Sequence, residues 1–483
     1  MLTSTTARLL LASRAASASV ASAASAAMVG AGRRSVTTAA VAAATTSSSA
    51  LTAQTAQSGR GSAPLLPAAT SSRGVQTSAK TSMSAVEPNA EEEKEKQPFT
   101  ELVRDFLDPG DFYKQVNKIG VDFFTGVPDS LLKDFCAYVT ANTPSDHHVI
   151  TANEGNAVAL AAGHHLATGK SGLVYLQNSG LGNIVNPLMS LAVPEVYSIP
   201  MLLLIGWRGE PGKKDEPQHL VQGQATPGLL ASLNIPFQVL PDFQEGAAKV
   251  LETARQYMEQ NHGPYAILVR RQTFLPYKLK SDKGSFPLNR EGALKLIVDT
   301  LSARDIVVGT TGMLSRELFE YRVAKKHGHE KDFLTVGSMG HASAIALGIA
   351  LARPVRQVYC LDGDGALLMH MGTMATIGHS GVKNLKHIVI NNGAHDSVGG
   401  QPTCALNGSL SITGVAQSSG YRFVETASEI DDIRAKLKLL HEAQGPALLE
   451  ICVNRGGRKD LGRPTRSPVQ NKHDFMDFVQ SEY

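Results

Sequence analysis

Two stretches, Gln357-Val-Tyr-Cys-Leu-Asp-Gly-Asp-Gly-Ala366 and His387-Ile-Val-Ile-Asn-Asn-Gly-Ala394, carry the reading of this chain. Each starts as a short apolar run and ends in a polar turn. Runs of this length bounded by turn residues read as strands buried on both faces, as in a parallel sheet under helices. The first turn holds Gly363, Asp364 and Gly365. Glycine lets a backbone approach an anion closely, and free N–H groups there can meet its charge. Taken alone, the turn fits a calcium loop or an ordinary β-turn as well. The second stretch narrows the choice: Ile390-Asn391-Asn392-Gly393-Ala394 begins 25 residues after Gly365. Magnesium takes oxygen ligands in near-octahedral geometry. One acid and one asparagine at neighbouring strand ends would supply two, leaving positions for a diphosphate and water. Strand C-termini are where open α/β sheets bind ligands.

The same pattern repeats outward from these runs. Residues 121–125, 173–177, 201–205 and 265–269 are strand candidates, and 305–309 and 447–453 follow after the polar loop 278–285. Small-residue helices are expected at 157–165 and 341–351. The alternation predicts an α/β chain of two domains, 99–277 and 286–483, joined by 278–285. The halves alternate alike but show no close sequence repeat.

The chain has 483 residues, of which 42% are hydrophobic and 18% charged, enough for a sizeable core in each half. Residues 1–86 stand apart. They are rich in Ala, Ser and Thr, and the first acid is Glu87. Arg8, Arg14, Arg33, Arg34, Arg60, Arg73 and Lys80 give this segment seven positive charges. Such a segment reads as an organellar transit peptide, mitochondrial before plastid or cytoplasmic; the plain alternative is a tail with no address. A charged linker follows at 87–98. The net charge of +3 therefore becomes −4 over residues 87–483, which offers no nucleic-acid footprint. No apolar run approaches the roughly 20 residues that span a bilayer. Cys136, Cys360, Cys404 and Cys452 are scattered and form no C-x-x-C pair, so they read as single thiols.

G-D-G followed at this distance by N-N resembles the signature of thiamine-diphosphate enzymes, and the likeness covers nearly all of 99–483. It implies two thiamine-diphosphate-binding domains, each a parallel sheet covered by helices on both faces, with no middle domain. The pyrimidine-binding domain would be 99–277 and the diphosphate-binding domain 286–483. The resemblance puts Mg²⁺ on Asp364, Asn392 and the Ala394 carbonyl, and the diphosphate against Gly363, Gly365 and Ala366. Asn391 would be structural. The coenzyme needs a carboxyl group in a low-dielectric site to serve its pyrimidine N1′. Glu154, in Ile150-Thr-Ala-Asn-Glu-Gly-Asn156, matches the family's activating glutamate. The plain alternative is an exposed acid in a helix's first turn, against which its apolar flanks argue. In Gly337-Ser-Met-Gly340 the resemblance sets Met339 beneath the folded coenzyme and the Gly337 carbonyl on its 4′-amine. The alternative there is methionine as core filler. Asp129 matches an active-site aspartate and is expected to relay protons, with His395 or His341 sharing the work or serving as ordinary loop histidines. Because the two ends of the coenzyme fall in different domains, the resemblance implies a homodimer or larger oligomer with shared sites.

The short 278–285 loop excludes the larger 2-oxoacid decarboxylases, which insert a third domain. The chain instead resembles the compact phosphonopyruvate and sulfopyruvate decarboxylases. Gly126-Val-Pro-Asp-Ser-Leu131, Gln177-Asn-Ser-Gly-Leu-Gly-Asn183, Gly206-Trp-Arg-Gly-Glu-Pro-Gly212 and Asn392-Gly-Ala-His-Asp-Ser-Val-Gly-Gly-Gln-Pro402 favour the phosphonopyruvate branch, as does Arg458-Lys-Asp-Leu-Gly-Arg-Pro-Thr465. A phosphonate calls for fixed cations. Arg208, Lys213, Arg458 and Arg463 are candidates, though such a residue taken alone is more often a solvated surface charge. The expected reaction converts 3-phosphonopyruvate to phosphonoacetaldehyde and CO₂, in phosphonate biosynthesis. Sulfopyruvate is the alternative substrate. A reading of another class, a non-catalytic diphosphate- or nucleotide-binding protein, would have no need of Glu154. A calcium loop needs further acids near Asp364, and 366–380 contain none.

Overall fold

Each apolar run named above becomes an inner strand of a parallel sheet. In the computed structural model the described residues are 106–280 and 284–481. The expected transit segment and charged linker lie outside them. The first sheet contains β1 (Phe123–Gly126), β2 (His148–Ile150), β3 (Gly172–Gln177), β4 (Met201–Gly206), β5 (Phe237–Val239) and β6 (Tyr265–Val269). Its order is β2-β1-β3-β4-β6-β5, with every pair parallel. The second contains β7 (Ile306–Gly309), β8 (Asp332–Leu334), β9 (Val358–Gly363), β10 (Leu385–Asn391), β11 (Phe423–Ala427) and β12 (Ala447–Cys452). Its order is β8-β7-β9-β10-β12-β11, again all parallel. Counted from the first strand of each half, the two orders are identical. The chain is thus a structural duplication that sequence comparison of its halves does not reveal.

Parallel strands require crossover connections, so helices cover both faces of each sheet. Every residue of β4, β6 and β10 is buried, as the continuous Met201–Ile205 and Ile388–Ile390 runs require. One face of the first sheet packs Phe112, Phe124, Phe135 and Phe274, with Phe112 centred 5.3 Å from both Phe135 and Phe274. The other face receives Ala157, Ala161 and Ala162 of the helix Glu154–Thr168. Alanine brings that helix close to the sheet. Asn153 caps its start by accepting from the Gly155 N–H, and Gly169, at φ 73°, ends it in the left-handed conformation that favours glycine. The second sheet is enclosed in the same way, between Leu294, Leu318 and Leu437 on one face and Ala346, Ile377 and Phe475 on the other.

The two sheet domains touch at the loops that follow their strands. Asn153, before the first helix of the site, donates to the Met369 carbonyl at 3.5 Å. Glu216 of the first domain pairs with Arg316 and Arg463 of the second.

Candidate active site

The β9 turn places Asp364 at the start of the helix Asp364–Met369, only 2% exposed. Thr403 Oγ1 donates to Asp364 Oδ2 at 2.5 Å, and the Gly365 and Asn392 N–H groups also serve the carboxylate. Asp364 makes no ion pair among the described residues, so burial pushes its pKa up to about 6. Asn392 follows β10. Its Oδ1 accepts from the Ala394 N–H at 3.1 Å and its Nδ2 donates to Asp396 at 2.6 Å. Asp396 in turn accepts from the Gly456 N–H, and Arg290 reaches it while holding Glu317 through two 2.9 Å bonds. This clasp fixes which way the Asn392 amide faces. Asn391 is structural, as expected: it donates to Glu450 and accepts from the Gly393 N–H.

A divalent magnesium ion fits these donors. Among the described residues the buried Asp364 carboxylate has no compensating cation and the Asn392 oxygen is held by one donor, and the Ala394 carbonyl stands on the same turn. All are hard oxygens of the type Mg²⁺ prefers. Gly365 lies against the His395 ring, which a Cβ would meet at 3.0 Å. His395 is half-buried, and desolvation pushes its pKa down to about 4, leaving a neutral imidazole at pH 7. A second group of potential ligands, Cys360, Asp362 and His387, has its atoms within 4.8 Å of one another and is buried inside the second sheet domain.

Glu154 begins its helix with its carboxyl group inward, 4% exposed. The exposed-acid alternative is therefore wrong. Its Oε2 accepts from Asn183 Nδ2 at 2.7 Å, and burial raises its pKa. Gly180 lies so close that a Cβ there would stand 2.4 Å from Glu154 Oε1. The protein thus spends a glycine to keep the carboxyl group enclosed. Ile150, Thr151 and Ala152 line one small cavity with Gly365, His395 and Thr403. The segments carrying the acid and the anchor therefore adjoin at this cavity.

Gly337, Ser338 and Gly340 all have left-handed φ angles, of 75°, 49° and 87°. They form a tight turn presenting a half-buried Met339. A Cβ on Gly340 would meet His370 at 2.7 Å and the Ala366 carbonyl at 2.9 Å, so this turn rests on the helix after Asp364. His341 and His370 lie beside it with ring centres 4.2 Å apart and planes tilted by 48°.

Asp129 is fully buried, with its pKa raised by desolvation, but both carboxylate oxygens are occupied. Gln177 donates to Oδ1 at 2.5 Å, and the Leu131 and Leu132 N–H groups donate to Oδ2. Through these bonds Asp129, the expected proton relay, also fastens the turn after β1. Two phosphonate candidates are likewise engaged. Arg208 forms a bidentate pair with Asp215 at 2.8 and 2.5 Å, and Arg458 grips Glu291 and Glu320. Lys213 is exposed and makes no ion pair among the described residues. Arg463 differs. It shares Glu216 Oε1 with Arg316, at 2.6 and 2.9 Å, and Gln218, two residues on, lies 3.2 Å from where a Gly337 Cβ would be. Thr403, Asn183 and Arg316 escaped the sequence reading because each meets its partner only after the chain has folded back.

With this geometry in place, comparisons with known proteins add the following. The C-terminal TPP binding domain of thiamine pyrophosphate enzymes matches residues 308–451, and the N-terminal TPP binding domain matches 111–227. A phosphonopyruvate decarboxylase of Streptomyces viridochromogenes is 34% identical over 75% of this chain and 92% of its own length. One from Streptomyces hygroscopicus is 33% identical over 77% and 94%. A sulfopyruvate decarboxylase of Methanosarcina acetivorans is 29% identical over 60% and 77%.

Proposed function

The chain belongs to the thiamine pyrophosphate enzyme family and is a decarboxylase, and from that premise we propose that its substrate is 3-phosphonopyruvate, converted to phosphonoacetaldehyde and CO₂. The observation that carries the substrate reading is the pair of guanidinium groups, Arg316 and Arg463, on the single Glu216 carboxylate, two residues before the Gln218 that packs against Gly337. Two cations on one acid leave positive charge unbalanced there. A dianionic phosphonate matches that excess better than a neutral group does, and Arg suits a tetrahedral oxyanion. The two Streptomyces relatives support the same choice.

Bound thiamine diphosphate supplies the electron sink for the pair released as CO₂ leaves. The protein's residues do the rest. Asp364, Asn392 and the Ala394 carbonyl would hold Mg²⁺, the counter-charge for the diphosphate. Glu154, whose pKa burial raises, would hold a proton at the pyrimidine N1′. The Gly337 carbonyl and Met339 would orient the coenzyme from the turn. Arg316 and Arg463 hold the phosphonate and so orient the carboxylate to be lost.

Comparing kcat/KM for phosphonopyruvate and sulfopyruvate tests the substrate assignment. The expected result is a clear preference for phosphonopyruvate; the opposite preference overturns it. Arg463→Ala and Arg316→Ala should each raise KM for phosphonopyruvate about 10- to 100-fold, the scale of a charge-assisted hydrogen bond, with a smaller effect on kcat.

A homodimer is part of the proposal. Leu160 and Leu166 stand 40% and 75% exposed on the Glu154–Thr168 helix, and Met189 is exposed nearby in the chain. Sedimentation velocity should find a dimer or larger species at micromolar concentration, and a monomer there contradicts this part.

A further inference from the structure

The loop between Asn392 and Thr403 holds a polar group that nothing in the described protein satisfies. Gln401 is 0% exposed, and neither its amide nitrogen nor its amide oxygen has a hydrogen-bond partner. A buried amide left unpaired is costly, and native proteins keep few of them.

The backbone determines which way this residue faces. Ala394 bridges Pro402 in antiparallel fashion. The His395 N–H donates to the Gln401 carbonyl at 2.9 Å, and the Thr403 N–H donates to the Gly393 carbonyl at 3.1 Å. Side chains alternate along such a pair, so Gln401 shares a face with His395 and Thr403 and lies opposite Pro402. That face is laid on the metal anchor. Thr403 donates to Asp364, and the His395 ring covers Gly365. Gly399, at φ 128°, leaves room for the amide to fold inward, since a Cβ there would stand 2.8 Å from both amide atoms. From the facing domain, Thr151 Oγ1 is a second buried group without a partner, and Thr151 lines the same small cavity as His395 and Thr403. Unpaired polar groups therefore gather at the anchor from both domains.

We propose that Gln401 binds the diphosphate end of the coenzyme, its amide nitrogen donating to a diphosphate oxygen and its amide oxygen accepting a hydrogen bond in the same site. The inference rests on the thiamine-diphosphate reading above. An amide suits this place because it offers a donor and an acceptor without charge. It adds no carboxylate to repel the diphosphate and no cation to displace the metal from Asp364.

Two variants test it, Gln401→Leu and Gln401→Glu, in the full chain. The readouts are the thermal midpoint of the metal-free, coenzyme-free protein, and calorimetric affinity for thiamine diphosphate and thiamine monophosphate at fixed Mg²⁺. Leucine removes an unsatisfied amide, so the coenzyme-free protein should melt at the same temperature or higher. Its affinity for thiamine diphosphate should fall about 10- to 100-fold, the usual scale for a group that supports a metal site. Its preference for the diphosphate over the monophosphate should narrow. Glutamate should weaken binding further, through repulsion. An affinity within twofold of wild type in Gln401→Leu, or a lower melting temperature of the coenzyme-free variant, overturns the assignment. A wild-type chain that binds no thiamine diphosphate overturns the functional reading itself, a separate outcome visible in the same titration.

Discussion

Glu154→Gln lowers kcat for decarboxylation by about 10²- to 10⁴-fold, the contribution of one positioned acid–base group. Glutamine keeps the volume and can still accept from Asn183, so the loss reports the missing exchangeable proton. A second signature separates this from misfolding. Burial raises the Glu154 pKa above its ordinary value of 4.5. The folded state therefore holds that proton more tightly than the unfolded state. By linkage, wild-type stability falls as pH rises from 4.5 through the folded pKa and stays lower above it. Glutamine has no such dependence. The coenzyme-free variant should thus melt at or above the wild-type temperature at pH 7, with its advantage shrinking toward pH 4. Melting curves across this range, together with steady-state rates, check both parts. Wild-type turnover in the variant would remove the activating role assigned to Glu154 and the thiamine mechanism built on it.

Asp364→Asn weakens binding of the magnesium–coenzyme complex by about 100-fold or more, exceeding the 10- to 100-fold typical of groups that only support a metal ligand. The charge is what matters. Asparagine can still accept from Thr403, yet it cannot balance a divalent cation together with the neutral Asn392 and Ala394 donors. The melting-temperature increase that thiamine diphosphate and Mg²⁺ give the wild type should largely vanish, because stabilisation by a ligand follows its affinity. The coenzyme-free variant should be no less stable than wild type, since a buried carboxylate with a raised pKa is replaced by a neutral amide. Differential scanning with and without the two ligands measures all of this. A full ligand-induced increase in the variant would move the metal away from Asp364.

The division between what was legible in the sequence and what was not has a physical basis. All eight strands recognised from apolar runs are inner strands, buried on both faces. The four not recognised, β2, β5, β8 and β11, are the edge strands. They are three to five residues long, and β2, β5 and β11 are mostly half-exposed, so no continuous apolar run marks them. Their pairing also hides the duplication, because strand order belongs to the folded sheet and not to any local stretch. In the site, Asp364, Asn392 and Glu154 were readable because each sits in a short motif at a strand or helix end. Thr403, which reaches Asp364 from 39 positions away, was not. Charge type was legible at Arg208 and Arg458, but their carboxylate partners were not. Arg316 has no motif around it, and only Glu216 draws it toward Arg463.

The most direct test of the central claim is phosphorus NMR of 3-phosphonopyruvate incubated with coenzyme-stripped protein, before and after addition of thiamine diphosphate and Mg²⁺. The account predicts no change until both are present, then conversion to phosphonoacetaldehyde, halted again by a chelator. Conversion at the same rate without them, or no conversion with both bound, would contradict it.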